Sequence, residues 1–198
     1  MILLACAVDA ELAFWEPRDG VATLVTGVGP VEVSCALTAE LCRYPYRLVV
    51  NAGLAGAFDG AASIGDGVVV EDDAMEIALE SGAPLKLPRG ERTVERAHSD
   101  SELVARLRDA SFPIVRGITV ARVTSSEQTA RRLATQFRAQ VESMEGFAAL
   151  RAAERMGVRA IEVRGISNRC GERESSGWDF DAGMNGLRRI ARALFELV

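Results

Sequence analysis

Leu48-Val49-Val50-Asn51-Ala52-Gly53-Leu54-Ala55-Gly56-Ala57-Phe58 decides how the rest of the chain is read. Residues 48–52 are an apolar run of strand length, and a loop of glycine and alanine follows. Small residues let backbone approach a ligand closely at the carboxyl end of a strand, where open α/β sheets bind small molecules. A tight turn joining two elements is the plainer reading of the same residues. Outward from this segment, apolar runs and helical patterns alternate. Residues 2–8 and 22–26 precede it as strands, and Gly27-Val28-Gly29 turns the chain into a helix over 30–43, with Pro30 suited to its first position. Strands are expected at 67–71, 114–123 and 159–167. Helices are expected at 100–110, 126–137, 144–156 and 180–197, the third ending at Gly157 in a left-handed cap. Residues 78–97, with Gly82, Pro84, Pro88 and Gly90 among many charges, read as a surface loop. The class is α/β with a largely parallel or mixed sheet, in a single domain over 1–198.

Bulk properties exclude several functions. A net charge of -5 with no basic run removes the electrostatic footprint of a nucleic-acid binder. One histidine, His98, cannot build a multi-histidine metal site, and the adjacent acids Asp72 and Asp73 read as a solvated strand end, so no metal is expected. Gly27-Val28-Gly29 fails the dinucleotide fingerprint because Glu32 stands where a third glycine is needed; no phosphate-binding P-loop occurs, and no cofactor is expected. Cys6, Cys35, Cys42 and Cys170 form no CxxC pair and read as small buried hydrophobes in a reducing cytosol. Residues 1–8 lack a basic leader and stop at Asp9, and no run reaches transmembrane length. A cytoplasmic protein without membrane contact is expected.

Three further segments carry chemistry: Ala7-Val8-Asp9-Ala10-Glu11, Val141-Glu142-Ser143-Met144-Glu145-Gly146 and Arg164-Gly165-Ile166-Ser167-Asn168. With Thr26-Gly27-Val28-Gly29, the segment 51–57 and Ile64-Gly65-Asp66, they run in order along nearly the whole chain. In that order they resemble the nucleosidase branch of the purine nucleoside phosphorylase superfamily. Within the branch, Ile166-Ser167-Asn168 followed by Gly171, Arg173 and Trp178 is most similar to the futalosine hydrolases, which release hypoxanthine from futalosine on a route to menaquinone. The resemblance implies a three-layer αβα domain around a mixed, largely parallel twisted sheet, a small purine nucleoside as substrate, and a homo-oligomer. It also implies roles: Glu11 activates water, Glu145 and Met144 hold the ribose, and Asn168 meets the departing base. Val8, Leu54, Thr124, Ser125 and Trp178 would line the substrate, and Arg169 or Arg173 could meet a carboxylate on its 5′ side. Taken singly, Glu11 also reads as a solvated helix-start acid, Glu145 as a first-turn acid, Met144 as core and Trp178 as packing at the start of the last helix. Glu142 is left as a supporting or surface acid.

Asn168 narrows the substrate. Adenine-releasing relatives hold Asp here and use it to protonate N7. An amide delivers no proton at neutral pH, but its NH₂ donates. A 6-oxopurine offers acceptors at N7 and O6, whereas a 6-aminopurine offers one acceptor and one donor, so Asn168 favours hypoxanthine or guanine. Phosphorolysis needs an anion cradle; the first loop carries Asp9 and Glu11 instead, and Leu54 stands where relatives often have Ser, so water is the expected nucleophile. The rival enzymes are nucleosidases for methylthioadenosine, S-adenosylhomocysteine or aminodeoxyfutalosine, and a purine nucleoside phosphorylase. A non-catalytic nucleoside binder is the rival of another class.

Overall fold

Near-continuous Val, Leu, Ile and Ala runs form strands covered on both faces, as expected where helices flank a mostly parallel sheet. The computed structural model describes every residue except 80, 81, 84 and 172–176. Its strands are β1 (Ile2–Cys6), β2 (Val21–Val25), β3 (Leu48–Ala57), β4 (Gly67–Met75), β5 (Arg96–His98), β6 (Ile114–Thr119), β7 (Val141–Ser143) and β8 (Arg159–Arg169). Among the described residues the helices are α1 (Pro30–Arg43), α2 (Ser101–Asp109), α3 (Glu127–Phe137), α4 (Gly146–Arg155) and α5 (Phe180–Leu197).

The eight strands form one mixed sheet ordered β2-β1-β3-β7-β6-β4-β5, with β8 pairing both β3 and β4. The β1–β2, β1–β3, β3–β8, β4–β6 and β6–β7 pairs are parallel, so the largely parallel expectation holds. The pairings β3–β8–β4–β6–β7–β3 close on themselves. One apolar cluster draws on all five of these strands, through Ala55, Ala57, Val68, Val70, Val115, Val141 and Ile166. Side chains this small let the ring close tightly. Helices α2 and α5 pack on one cluster and α1 and α4 on another, giving the helix–sheet–helix layering. Caps fix the helix starts: Asp100, Ser126 and Asp179 accept from the backbone N–H groups of Leu103, Thr129 and Ala182. Gly157, just beyond α4, takes the expected positive φ of 70°.

Several boundaries differ from the sequence reading. β3 does not break at Ala52. Residues 53–57 stay in register with 164–169 of β8, so the expected glycine loop is strand. A bulge in that pairing, Ala55 opposite Ile166 but Gly56 opposite Asn168, leaves Ser167 as the extra residue. β6 stops at Thr119 rather than 123. The short β7 was hidden by its apolar–acid–Ser pattern, and it moves Met144 and Glu145 out of the expected helix into the β7–α4 junction. The far end of the 78–97 stretch joins β5, which pairs antiparallel with β4. Asp72 and Asp73 are not solvated: both are buried, because β4 lies inside the sheet with helices or strands on both faces. Asp72 pairs with Arg96 and Arg116. Cys6 and Cys170 are buried as expected, but Cys35 and Cys42 are exposed, off the Val33-Leu37-Leu41 stripe that α1 turns inward. No helix among the described residues is long and apolar enough to cross a membrane.

Candidate active site

A small cleft opens where β3, β7 and β8 meet. β3 contributes Leu54, Ala55 and Gly56; β7 and the junction after it contribute Glu142, Ser143, Met144 and Glu145; β8 contributes Ser167 and Asn168; Val123 and Trp178 complete the wall. Of the residues named from sequence, Asn168, Glu145, Met144, Leu54 and Trp178 come together here.

Asn168 is 5% exposed and held by its neighbours. Its Oδ1 accepts from the Ser167 hydroxyl at 2.9 Å and its Nδ2 donates to the Arg169 carbonyl at 3.1 Å. The Ser167 contact sets which way the amide faces, and the second N–H of Nδ2 is left over for a ligand. One donor therefore remains for the two acceptors, N7 and O6, of a 6-oxopurine. The amide fits only because position 56 is glycine: a Cβ there would lie 2.8 Å from both Asn168 Nδ2 and Cys170 Sγ. Trp178 pairs with Asn168 through an antiparallel bridge, and its ring lies 5.4 Å from that of Phe180 at 30°.

Glu11 sits on a short 3₁₀ turn, Asp9–Leu12, directly after β1. Its Oε2 accepts from the N–H groups of Ala7 and Val8 at 3.0 and 3.4 Å, and its Oε1 from the N–H of Leu54 at 2.9 Å. The Leu54 contact ties it to the cleft wall. Burial pushes the Glu11 carboxyl above its ordinary range, against the lowering effects of the Leu54 N–H and Arg164. Water activation needs the ionised form. The acid limb of kcat/KM should therefore lie above the ordinary carboxylate range, activity falling as pH drops through that raised value. A limb at or below the range of a solvated carboxylate in the measured profile would count against Glu11 as the base.

Glu145, 5% exposed, is the N-cap residue of α4, but its side chain makes no capping bond. Its Oε1 accepts from the N–H of Gly29 at 2.9 Å, and its Oε2 lies 3.9 Å from Arg164 Nη1. Glu142 is buried and accepts from the N–H and hydroxyl of Thr124, which makes it the supporting acid rather than a surface one; burial raises its carboxyl. Thr124 thus spends its polar groups on Glu142, and with Ser125 it lines an adjoining cavity that shares only Val123 with the cleft. Val8 is 40% exposed and outside the cleft lining. Arg169 extends outward toward Asp59, 3.7 Å away, and Arg173 lies outside the described residues.

Sequence reasoning missed Arg164. It is 1% exposed, with Nε on Glu162 at 2.8 Å and Nη2 on Asn51 at 2.5 Å. Burial works against its charge, but the carboxylates of Glu162, Glu145 and Glu11 together hold it protonated. The signal was available: a lone cation inside an apolar strand needs an acid, and Glu162 two residues away shares its face. Gly53 makes room for this arrangement, since a Cβ there would lie 2.4 Å from Arg164 Nη1 and 2.8 Å from Glu11 Oε1. Gly53→Ala should cost about 1–3 kcal/mol of stability by overpacking and displace Glu11. Denaturant midpoints and turnover check this, and an unchanged variant would refute the tight approach. No group of three or more His, Cys, Asp and Glu that could hold a metal occurs among the described residues.

The chain and its fold are similar to known proteins. The family model described as the phosphorylase superfamily matches residues 16–198. A futalosine hydrolase of Thermus thermophilus is 35% identical over 182 residues, covering 88% of this chain and 81% of its own. A futalosine hydrolase mutant of Helicobacter pylori superposes with a TM-score of 0.84 at 16% identity, over 100% of this chain and 99% of that one. A 5′-methylthioadenosine/S-adenosylhomocysteine nucleosidase of the same organism gives 0.83 at 15%, over 100% and 98%. The two structural likenesses establish the fold without choosing between substrates. The chain belongs to the phosphorylase superfamily and, within it, to the family of the futalosine hydrolases.

Proposed function

We propose that the protein hydrolyses the N-ribosidic bond of futalosine, releasing hypoxanthine and dehypoxanthinyl futalosine. The observation that carries the reading is Asn168, an uncharged amide fixed by Ser167 in the cleft that also holds Met144 and Glu145. Cleavage of the C1′–N9 bond builds positive charge on the ribose and negative charge on the base. Glu145 lies where a carboxylate can accept from ribose hydroxyls and favour the cationic sugar, and Met144 supplies an apolar wall. Glu11 takes a proton from water as the water oxygen bonds to C1′. The purine leaves as an anion whose charge spreads over N7 and O6. The remaining N–H of Asn168 stabilises that charge without transferring a proton, as preorganised donors do. The base then takes its proton from solvent.

Water rather than phosphate fits the charges. The one buried cation among the described residues, Arg164, lies beside the lining residue Glu145 and is already matched by Glu162 and Glu145. An incoming phosphate would meet Glu11 and Glu145 instead. The reading also places the enzyme in the cytoplasm as a homo-oligomer, in menaquinone synthesis. Initial rates of base release should be higher for futalosine than for its 6-amino counterpart, and unchanged by phosphate. Faster adenine release would overturn the choice of base, and phosphate-dependent release would overturn hydrolysis.

A further inference from the structure

Beside Arg164, and outside the cleft lining, lies a pair of acids that the reaction does not touch. Asp73 of β4 and Glu162 of β8 are both 0% exposed. Their oxygens converge on the start of α4: a Cβ on Gly146 would lie 2.3 and 2.4 Å from the two Glu162 oxygens and 2.5 Å from Asp73 Oδ2. Only glycine leaves that space open. Each acid has one oxygen supplied with a donor. Asp73 Oδ1 accepts from the Thr119 hydroxyl at 2.9 Å, and that hydroxyl accepts in turn from the N–H of Phe147 at 2.7 Å. Glu162 Oε1 accepts from Arg164 Nε at 2.8 Å. The other two oxygens, Asp73 Oδ2 and Glu162 Oε2, receive no donor from the rest of the described protein.

Two ionised carboxylates left facing each other without donors would be severely destabilising in such a dry place. One proton between the orphaned oxygens replaces repulsion with a short, charge-assisted O–H···O⁻ bond. Arg164 settles where the proton goes. It favours the charge on Glu162, so Asp73 Oδ2 carries the hydrogen. Burial pushes the Asp73 carboxyl far up and Glu162 adds to the rise; burial raises Glu162 too, but Arg164 opposes it. The remaining groups facing the pair are Glu145, the Ser99 hydroxyl that accepts from the Glu162 N–H, and the first turn of α4.

We infer that Asp73 and Glu162 are positioning residues for the hydrolysis: sharing one proton, they keep Arg164 on Glu162 and off the carboxylate of Glu11. Arg164 makes ion pairs within 4 Å to Glu162 and Glu145 but none to Glu11. Were Glu162 neutral, the guanidinium would move to the nearest unmatched carboxylate, and Gly53 leaves Glu11 beside it. A direct ion pair would lower the Glu11 carboxyl and weaken it as a base.

The inference rests on Glu11 acting as proposed above, and its test separates the two. Asp73→Asn keeps the shape and one donor toward Glu162, so the acid limb of kcat/KM should keep the parent's position. Glu162→Gln should lower kcat/KM by about tenfold or more and move the acid limb to lower pH. Glu162→Asp, retaining the charge, should restore the limb. A purely structural role would lower the amount of folded enzyme without moving that limb. If Glu162→Gln fails to fold, Asp73→Asn decides: a displaced limb or a loss beyond about tenfold in it overturns the shared-proton assignment. The infrared difference spectrum of parent minus Asp73→Asn at neutral pH needs no substrate. A protonated-carboxyl carbonyl band is expected there, and its absence overturns the inference. Should no nucleoside be hydrolysed while the band is present, the functional reading fails and the carboxyl pair stands.

Discussion

Glu11→Gln lowers kcat on the order of 10²–10⁴-fold, the usual worth of a general base, while hypoxanthine still binds. The argument is local. Glu11 is fixed by three backbone N–H groups, two from its own loop and one from Leu54 in the cleft wall. Gln keeps the length and one acceptor oxygen but cannot take a proton from water. Its NH₂ must also face at least one of those N–H groups, at a cost of about 1–3 kcal/mol for an unpaired buried donor. The melting temperature should therefore fall modestly while product affinity, read by calorimetry, stays near the parent value. Turnover within a few-fold of the parent would remove Glu11 from its assigned role. Loss of product binding together with turnover would point to a collapsed cleft instead.

Asn168→Asp should invert the preference for the base. The residue sits at 5% exposure between Ser167 and Gly56, and the change alters no volume. It replaces the one spare donor by an acceptor when ionised, or by an acid able to reach N7 when protonated. A carboxylate repels O6 of a keto purine but accepts from a 6-amino group. Sites built on a single buried hydrogen bond discriminate strongly, so the ratio of kcat/KM for the 6-oxo over the 6-amino nucleoside should drop about 10²-fold or more. Parallel initial rates on the two nucleosides read this directly. An unchanged ratio would mean that the base is chosen elsewhere in the cleft, and the assignment of hypoxanthine would lose its main support.

Much of this was legible from the chain alone. Pro30 at the start of α1 and the apolar runs of β1 and β8 are local signals, and they placed their elements to within a few residues. The closure of the strand ring was not legible, because it depends on β8 serving two partners, a property of pairing rather than of any one segment. β7 was missed because three residues are too few for a period to show. Asn168, Glu145 and Met144, which stand in sequence motifs, line one cleft; Glu11 stands in one too but is not part of that lining, which it touches through Leu54. The Thr124 hydroxyl is spent on Glu142, a pairing across 18 residues that spacing does not reveal. Asp73 was read as solvated because adjacent acids at a strand end usually are. Here the strand continues through them into the interior.

The closed circuit β3–β8–β4–β6–β7 has a dynamic consequence. The free margins of the sheet are β2 and β5, both well removed from Asn168, whose strand has partners on either side. Amide hydrogens of residues 161–166 therefore exchange with deuterium only when the whole molecule opens, while β2 and β5 fray first. Heat or denaturant would then peel away the periphery and leave the cleft floor assembled until the last cooperative step.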